Sequence, residues 1–210
     1  MFKIIAFINS AIYPVLAIAL IPSILYAFYL EDYNFASSLL LLLLITLLVT
    51  FVIRRKIIPS KQLTTIQGFA AVGISWIFIS LFGTLPYIFS NSNLSFIDIL
   101  FETISGFTTT GASILTDIES VNPALLLWRS ITQWLGGMGI VVLTISVLPL
   151  IGSGGINLFK AESPGPTTDR LTPKFKDTAK LLLLSYAGLT ILETFLLYFS
   201  GLDLFTALNH

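Results

Sequence analysis

Residues 95–113 of this 210-residue chain read SFIDILFETISGFTTTGAS. Ser95 followed three residues later by Asp98, just ahead of an apolar run, is the pattern of a capping box at a helix N-terminus. We therefore predict a short helix from Phe96 to Phe107, with its apolar residues at helical spacing. At 1.5 Å per residue, such a helix is about 18 Å long, roughly half the thickness of a bilayer.

The composition of the whole chain is that of a membrane protein. Hydrophobic residues make up 55% of the sequence and charged residues only 10%, and the mean hydropathy is +0.92. A soluble globule is excluded, because such proteins carry roughly a quarter charged residues. Eleven basic and eleven acidic residues balance, so no basic excess is present to bind nucleic acid.

The sequence offers few residues that could take part in catalysis. The chain has no cysteine, and its only histidine is the last residue, His210. Thiolate and histidine metal sites, cysteine nucleophiles and Ser-His-Asp triads in the interior are therefore excluded. We expect neither an enzyme nor a bound cofactor.

Uncharged runs divide the chain into five candidate membrane spans, each at least as long as the roughly 20 residues that a helix needs to cross a bilayer. The runs are 4–30, 33–53, 62–97, 130–159 and 181–202, the last interrupted only by Glu193. The first is too long for the apolar region of a signal peptide, so we interpret it as a retained span. Pro14 and Pro22 predict that this span is either kinked or starts late.

The basic residues lie on one side of these spans. Ten of the eleven fall before span one, between spans two and three, or between spans four and five: Lys3, Arg54, Arg55, Lys56, Lys61, Lys160, Arg170, Lys174, Lys176 and Lys180. Because cytoplasmic loops carry the excess of Lys and Arg, the N-terminus is predicted to be cytoplasmic.

The segment after the short helix has the form of a re-entrant pore loop. Thr108 to Ser113 follows the helix, and a polar return runs from Thr116 to Asn122. Non-helical backbone at membrane depth is tolerated only where protein buries it or where it lines an aqueous path. The alternative is a solvated loop whose threonine hydroxyls bond their own backbone.

A cation filter would suit the residues of this loop. Monovalent cations that lose their water need several oxygen ligands of moderate strength, and Thr108, Thr109 and Thr110 offer carbonyls and hydroxyls. Gly111 can adopt a positive φ, which lets neighbouring carbonyls turn. The negative end of the helix dipole also favours a nearby cation.

Charged and small residues near the loop are candidates for holding it in place. Arg129 either holds the loop by pairing with Glu102 or Asp117, or extends to the outer interface. Glycines at 136, 137 and 139 predict close approach of another helix or of the filter.

Three separated motifs resemble the Trk/Ktr/HKT family of potassium transporters, most closely its bacterial TrkH branch. They are FETISGFTTTGAS at 101–113, WR at 128–129 with QWLGGMGI at 133–140, and KAESPGP at 160–166. The resemblance implies an all-α membrane protein built from four helix–pore loop–helix repeats, each of which supplies one filter strand. It implies Thr108, Thr109, Thr110 and Gly111 as filter residues, with K⁺ at Thr109 and Thr110, and Glu102 and Arg129 as their support.

Against that pattern, the chain is expected to hold five transmembrane helices plus one re-entrant pore helix with its filter loop. Residues 1–60 correspond to two additional N-terminal helices, 61–151 to the first repeat and 152–178 to a cytoplasmic loop. Residues 179–210 correspond to the first helix of the second repeat, stopping as its pore helix begins. With one of four filter strands, the chain is expected either to supply the first strand of a K⁺ uptake pore or to be an incomplete structural or assembly fragment.

The resemblance also implies partners and a location. The family works in the bacterial cytoplasmic (inner) membrane as a dimer, with a cytosolic ring of nucleotide-binding, TrkA-like regulatory subunits that would meet residues 160–180. Potassium is then the transported substrate, and nucleic acid is not a partner. Channel-like conduction and symport with H⁺ or Na⁺ both stay open.

Overall fold

Helices joined by turns and loops make up the part of the chain that the structure describes. The computed structural model describes residues 2–57, 65–90, 94–118, 121–151 and 175–210. Its helices are α1 (Phe2–Ala19), α2 (Ile21–Tyr29), α3 (Tyr33–Lys56), α4 (Thr65–Phe89), α5 (Phe96–Phe107), α6 (Pro123–Ile151), α7 (Phe175–Phe199) and α8 (Leu204–Asn209). No strand occurs within these ranges, so the predicted all-α class is confirmed.

Some predicted features lie outside the described residues. They are residues 119 and 120 of the polar return, the cations Lys61, Lys160, Arg170 and Lys174, and the predicted cytoplasmic loop as far as residue 174.

Four stretches are long and apolar enough to cross a membrane: Ile5–Tyr29, Tyr33–Lys56, Ala70–Phe89 and Lys180–Phe199. They match the first, second, third and fifth uncharged runs. The helix α6 begins at Pro123 and holds 29 residues, a length of about 43 Å at 1.5 Å per residue. A long helix therefore also lies in the fourth uncharged run.

The first span is broken as its prolines predict. α1 ends at Ala19 and α2 starts at Ile21, with Pro22 in its first turn. Proline lacks an N–H and its ring crowds the preceding turn, so a helix restarts more easily at Pro22 than it continues through it. Pro14 lies inside α1 without ending it.

The short helix α5 lies between α4 and α6, and buried aromatic residues hold these helices together. Trp128 of α6 is fully buried and donates from its indole Nε1 to the carbonyl of Gly83 in α4, at 3.1 Å. Phe107, the last residue of α5, belongs to a buried cluster with Ile79 of α4 and Leu135 of α6. This packing sets where the loop after α5 emerges.

The two leading spans are attached to the same core. Asp32 caps the N-terminus of α3 by accepting from the Phe35 N–H, and its other oxygen accepts from Asn122 Nδ2 at 2.8 Å. Asn122 in turn caps α6 by accepting from the Ala124 N–H. A single polar contact thus joins the start of α3 to the start of α6.

Outward faces of α3 and α7 are apolar and exposed. Leu41, Leu48, Leu189 and Leu196 each expose more than half of their surface. A surface of this kind suits contact with lipid tails.

The last helix repeats the start of α5. Asp203 caps α8 by accepting from the Thr206 N–H at 3.0 Å, and hydrogen bonds with Thr206 hold the pKa of Asp203 below its usual value. α8 packs on α2 through stacked rings of Phe205 and Tyr26, 4.8 Å apart. A helix therefore begins where the sequence predicts a second one like α5.

Candidate cation-binding loop

The helix α5 begins and ends where the sequence predicts. Ser95 Oγ accepts from the Asp98 N–H, and an Asp98 oxygen accepts from the Ser95 N–H at 3.2 Å. Both halves of the capping box are present. The helix then runs from Phe96 to Phe107, so its predicted bounds are confirmed.

A tight turn leads the chain out of α5. The Thr109 N–H donates to the Gly106 carbonyl and the Thr110 N–H to the Ser105 carbonyl, which is the hydrogen-bond pattern of a Schellman motif. The turn needs one left-handed residue, and Thr109 takes that position with φ +56°. Glycine is the usual residue there, and a β-branched side chain costs about 1–2 kcal/mol. Strain of this kind concentrates at functional sites.

The threonine hydroxyls are all engaged within the turn. Thr108 Oγ1 donates to the Ile104 carbonyl at 2.7 Å and lies 2.8 Å from Thr110 Oγ1. Thr109 Oγ1 donates to the Thr108 carbonyl at 2.7 Å. The hydroxyls thus bond within the loop, as the solvated-loop alternative expects.

Three consecutive carbonyl oxygens stay available for a ligand. Those of Thr109, Thr110 and Gly111 accept no hydrogen bond from any residue in the described ranges. Gly111 has φ +74°, a conformation that glycine adopts without strain. Within those same ranges, no group of three or more His, Cys, Asp or Glu could hold a metal ion. Within the described residues, the loop therefore presents neutral oxygens and no cluster of carboxylates.

A buried carboxylate anchors the chain beyond the loop. Glu102 of α5 is 1% exposed. One of its oxygens accepts from Ser113 Oγ and from the Ile114 N–H, both at 2.6 Å. The other accepts from Arg129 Nε at 2.9 Å, which forms an ion pair. Arg129 therefore pairs with Glu102, one of the two partners that the sequence offered.

Ser105 adds a second anchor, because its hydroxyl donates to the Ala112 carbonyl at 2.5 Å. Neither Ser105 nor Ser113 was among the residues that the sequence singled out. Ser105 lies three residues after Glu102, on the same face of α5, and that spacing was the available signal.

Small residues let α5 lie against its neighbours. A Cβ on Gly136 of α6 would clash with the carbonyl of Phe107, and one on Gly106 would clash with Thr132. On the other side, a Cβ on Gly83 of α4 would clash with Thr103 and Phe107. The close approach predicted for Gly136 is therefore made to the end of α5, directly before the loop.

Long apolar helices that pack against a short helix and its anchored loop define a helical membrane protein. The model of the TrkH family, described as a cation transport protein, matches residues 33–210, and the chain belongs to that family. The resemblance seen in the sequence is thereby confirmed.

Individual relatives of the chain are proteins of the same family. The chain is 44% identical over 151 residues to the Trk system potassium uptake protein TrkH of Escherichia coli K12, covering 71% of this chain and 31% of that protein. Over a stretch of the same length it is 42% identical to TrkG of that strain, with the same coverage. These relatives are transport proteins and not enzymes. The chain spans about a third of their length.

A solved structure has the same fold. The crystal structure of the potassium transporter TrkH from Vibrio parahaemolyticus matches with a TM-score of 0.78 and 28% identity. The match covers 100% of this chain and 42% of that one.

Proposed function

We propose that this chain supplies one filter strand to a pore for K⁺ uptake, with Thr108 to Gly111 as the strand and ions held at Thr109 and Thr110. The observation that carries the proposal is the row of three carbonyls on Thr109, Thr110 and Gly111 that accept no hydrogen bond from the part of the chain that the structure describes. Carbonyls replace the hydration shell of a monovalent cation without the tight grip of a carboxylate. The relatives' names, which are those of potassium uptake proteins, support K⁺ as that cation.

The anchors of the loop support the same function. In the snug-fit account of ion selectivity, the oxygens of the cage keep their spacing when a different ion enters. In our proposal Glu102 and Arg129 maintain that spacing, because their ion pair lies beside the two hydrogen bonds that hold Ser113 and Ile114.

The proposed architecture follows the predicted boundaries. Residues 1–60 form two leading spans, 61–151 the first helix–pore loop–helix repeat, 152–178 a cytoplasmic loop, and 179–210 the start of a second repeat. The chain then has five spans, with α5 as a re-entrant helix that enters the membrane from outside. The length of α5, 12 residues, supports a helix that crosses about half of the bilayer.

The N-terminus is proposed to be cytoplasmic, in the bacterial inner membrane. Single cysteines test this orientation cleanly, because the chain has none of its own. Cysteines at Asp117 and Ser200 should react with an impermeant thiol reagent added to intact cells. A cysteine at Lys56 should react only after permeabilisation. Labelling of Lys56→Cys in intact cells, or protection of either outer position, would contradict the re-entrant arrangement.

A rival function is an incomplete structural or assembly fragment without transport of its own. The exposure of Thr108, Thr109, Thr110 and Gly111 favours it for the isolated chain, because a single strand leaves an ion open to water. Four strands are needed to surround the ion in our proposal.

Growth at limiting K⁺ separates the two functions. The test protein, termed the TrkH chimaera, carries this chain in place of the segment that it matches in the Escherichia coli TrkH relative. In cells without their own K⁺ uptake systems, the chimaera should restore growth and the isolated chain should not. A chimaera that reaches the membrane without restoring growth would refute the filter function, and rescue by the isolated chain would refute the need for four strands.

Partners are proposed on the same basis. A TrkA-like cytosolic nucleotide-binding subunit would meet residues 160–180, and the assembled transporter would be a homodimer. Co-purification with such a subunit, lost when residues 160–180 are replaced by a neutral linker, is the result that we expect.

A further inference from the structure

One face of α6 forms the surface on which the loop rests. Arg129, Thr132, Gln133 and Gly136 are spaced so that they share a helix face. Three of them have contacts described above. Arg129 pairs with Glu102, Thr132 packs against Gly106, and Gly136 lies against the Phe107 carbonyl.

Gln133 is the fourth residue of this face, and it lies beside Gly111. Its Nε2 is 3.7 Å from the position that a Cβ on Gly111 would take, with no other such neighbour within 4 Å. Gln133 is half-buried. Its amide, which has two donor hydrogens and an acceptor oxygen, makes no hydrogen bond with any described residue.

The main-chain N–H of Gly111, an exposed residue, is a donor close to this amide. It donates to no residue of the described ranges. The oxygen and nitrogen of a glutamine amide exchange places by a half-turn of the group. After that half-turn, an oxygen acceptor would stand where Nε2 now lies, beside Gly111.

We propose that Gln133 is a positioning residue for cation selection, whose amide oxygen accepts from the Gly111 N–H and holds the loop at its distance from the ion. The inference rests on the proposed filter function. In the snug-fit account of selectivity, a loop tethered in this way resists moving its carbonyls inwards around the smaller Na⁺, and the tether therefore favours K⁺.

The test compares K⁺ and Na⁺ uptake by variants of the TrkH chimaera at matched membrane expression. Gln133→Met keeps the length of the side chain and removes the acceptor. It should lower the K⁺/Na⁺ uptake ratio roughly three- to tenfold, the size of effect expected for one hydrogen bond. Gln133→Glu keeps an acceptor oxygen at the same reach and should retain a higher ratio than Gln133→Met. If the Gln133→Met protein does not reach the membrane, Gln133→Ala is measured in its place.

Trp134→Phe is the matched control on the neighbouring residue. Trp134 faces away from the loop, since its Nε1 donates to Thr190 of α7 at 3.0 Å, and its variant should keep the parental ratio. Equal losses in Gln133→Met and Gln133→Glu would overturn the tether. An unchanged ratio in Gln133→Met, together with a lowered ratio in Gly111→Ser, would overturn only this inference. Unchanged ratios in both would overturn the filter function itself.

Discussion

Gly111→Ser in the TrkH chimaera should lower the K⁺/Na⁺ uptake ratio about tenfold. The φ of Gly111, +74°, costs an L-residue roughly 1 kcal/mol or more. The strained backbone is expected to relax by moving the carbonyls on either side. A loss of about 1.4 kcal/mol for K⁺ relative to Na⁺ corresponds to the tenfold change. Uptake of both ions at matched membrane expression measures the ratio.

Two other glycines provide matched controls for this substitution. Gly201 has φ +107° and open space around its Cβ position, so Gly201→Ser introduces backbone strain outside the loop. Gly188 of α7 also has open space and lacks the positive φ. Both variants should keep the parental ratio. An unchanged K⁺/Na⁺ uptake ratio in Gly111→Ser would exclude Gly111 from the filter. An equal fall of that ratio in Gly201→Ser would exclude it as well.

Glu102→Gln should destabilise the protein by about 3 kcal/mol, because removing one partner of a buried ion pair leaves the other charge uncompensated. The side chain of Arg129 is 20% exposed and the side chain of Glu102 is fully buried. Water therefore replaces the lost partner poorly. Hydrogen bonds to Ser113 and Ile114 weaken as well when the acceptor loses its charge. The melting temperature of the purified chimaera in detergent reports the loss.

Glu193→Gln is the control for the change of charge. Glu193 is exposed on α7 and forms no ion pair with a described residue, so its variant should melt near the parent. Adding Arg129→Met to Glu102→Gln should cost less than the sum of the two single changes, since contacting residues couple. Additive losses, or equal melting temperatures for Glu102→Gln and Glu193→Gln, would show that the ion pair does not stabilise the loop.

Local signals in the sequence were enough to place most helices. The capping pair of Ser95 and Asp98 set the start of α5. Charged residues were less reliable as boundaries. The uncharged second run ends at residue 53, yet α3 continues through Lys56. Basic residues are favourable in the last turn because they face the negative end of the helix dipole, so they lie within the helix and do not mark its end.

Local sequence signals could not decide which of two acidic residues pairs with Arg129. Glu102 and Asp117 were both open to Arg129, and only the packing of α5 against α6 brings Glu102 to 2.9 Å. The hydrogen-bond partners of the threonine hydroxyls were also not predictable, because they depend on the left-handed turn at Thr109.

The sequence by itself determined the membrane setting, the all-helical class and the bounds of α5. These properties depend on hydrophobicity and on hydrogen bonds between residues a few positions apart, which a linear sequence displays. The tertiary structure decided that Glu102 joins Arg129 to the loop, that Gly136 admits the end of α5, and that Gln133 lies beside Gly111. Each of these contacts joins different segments of the chain, and their distances exist only once α4, α5 and α6 have packed.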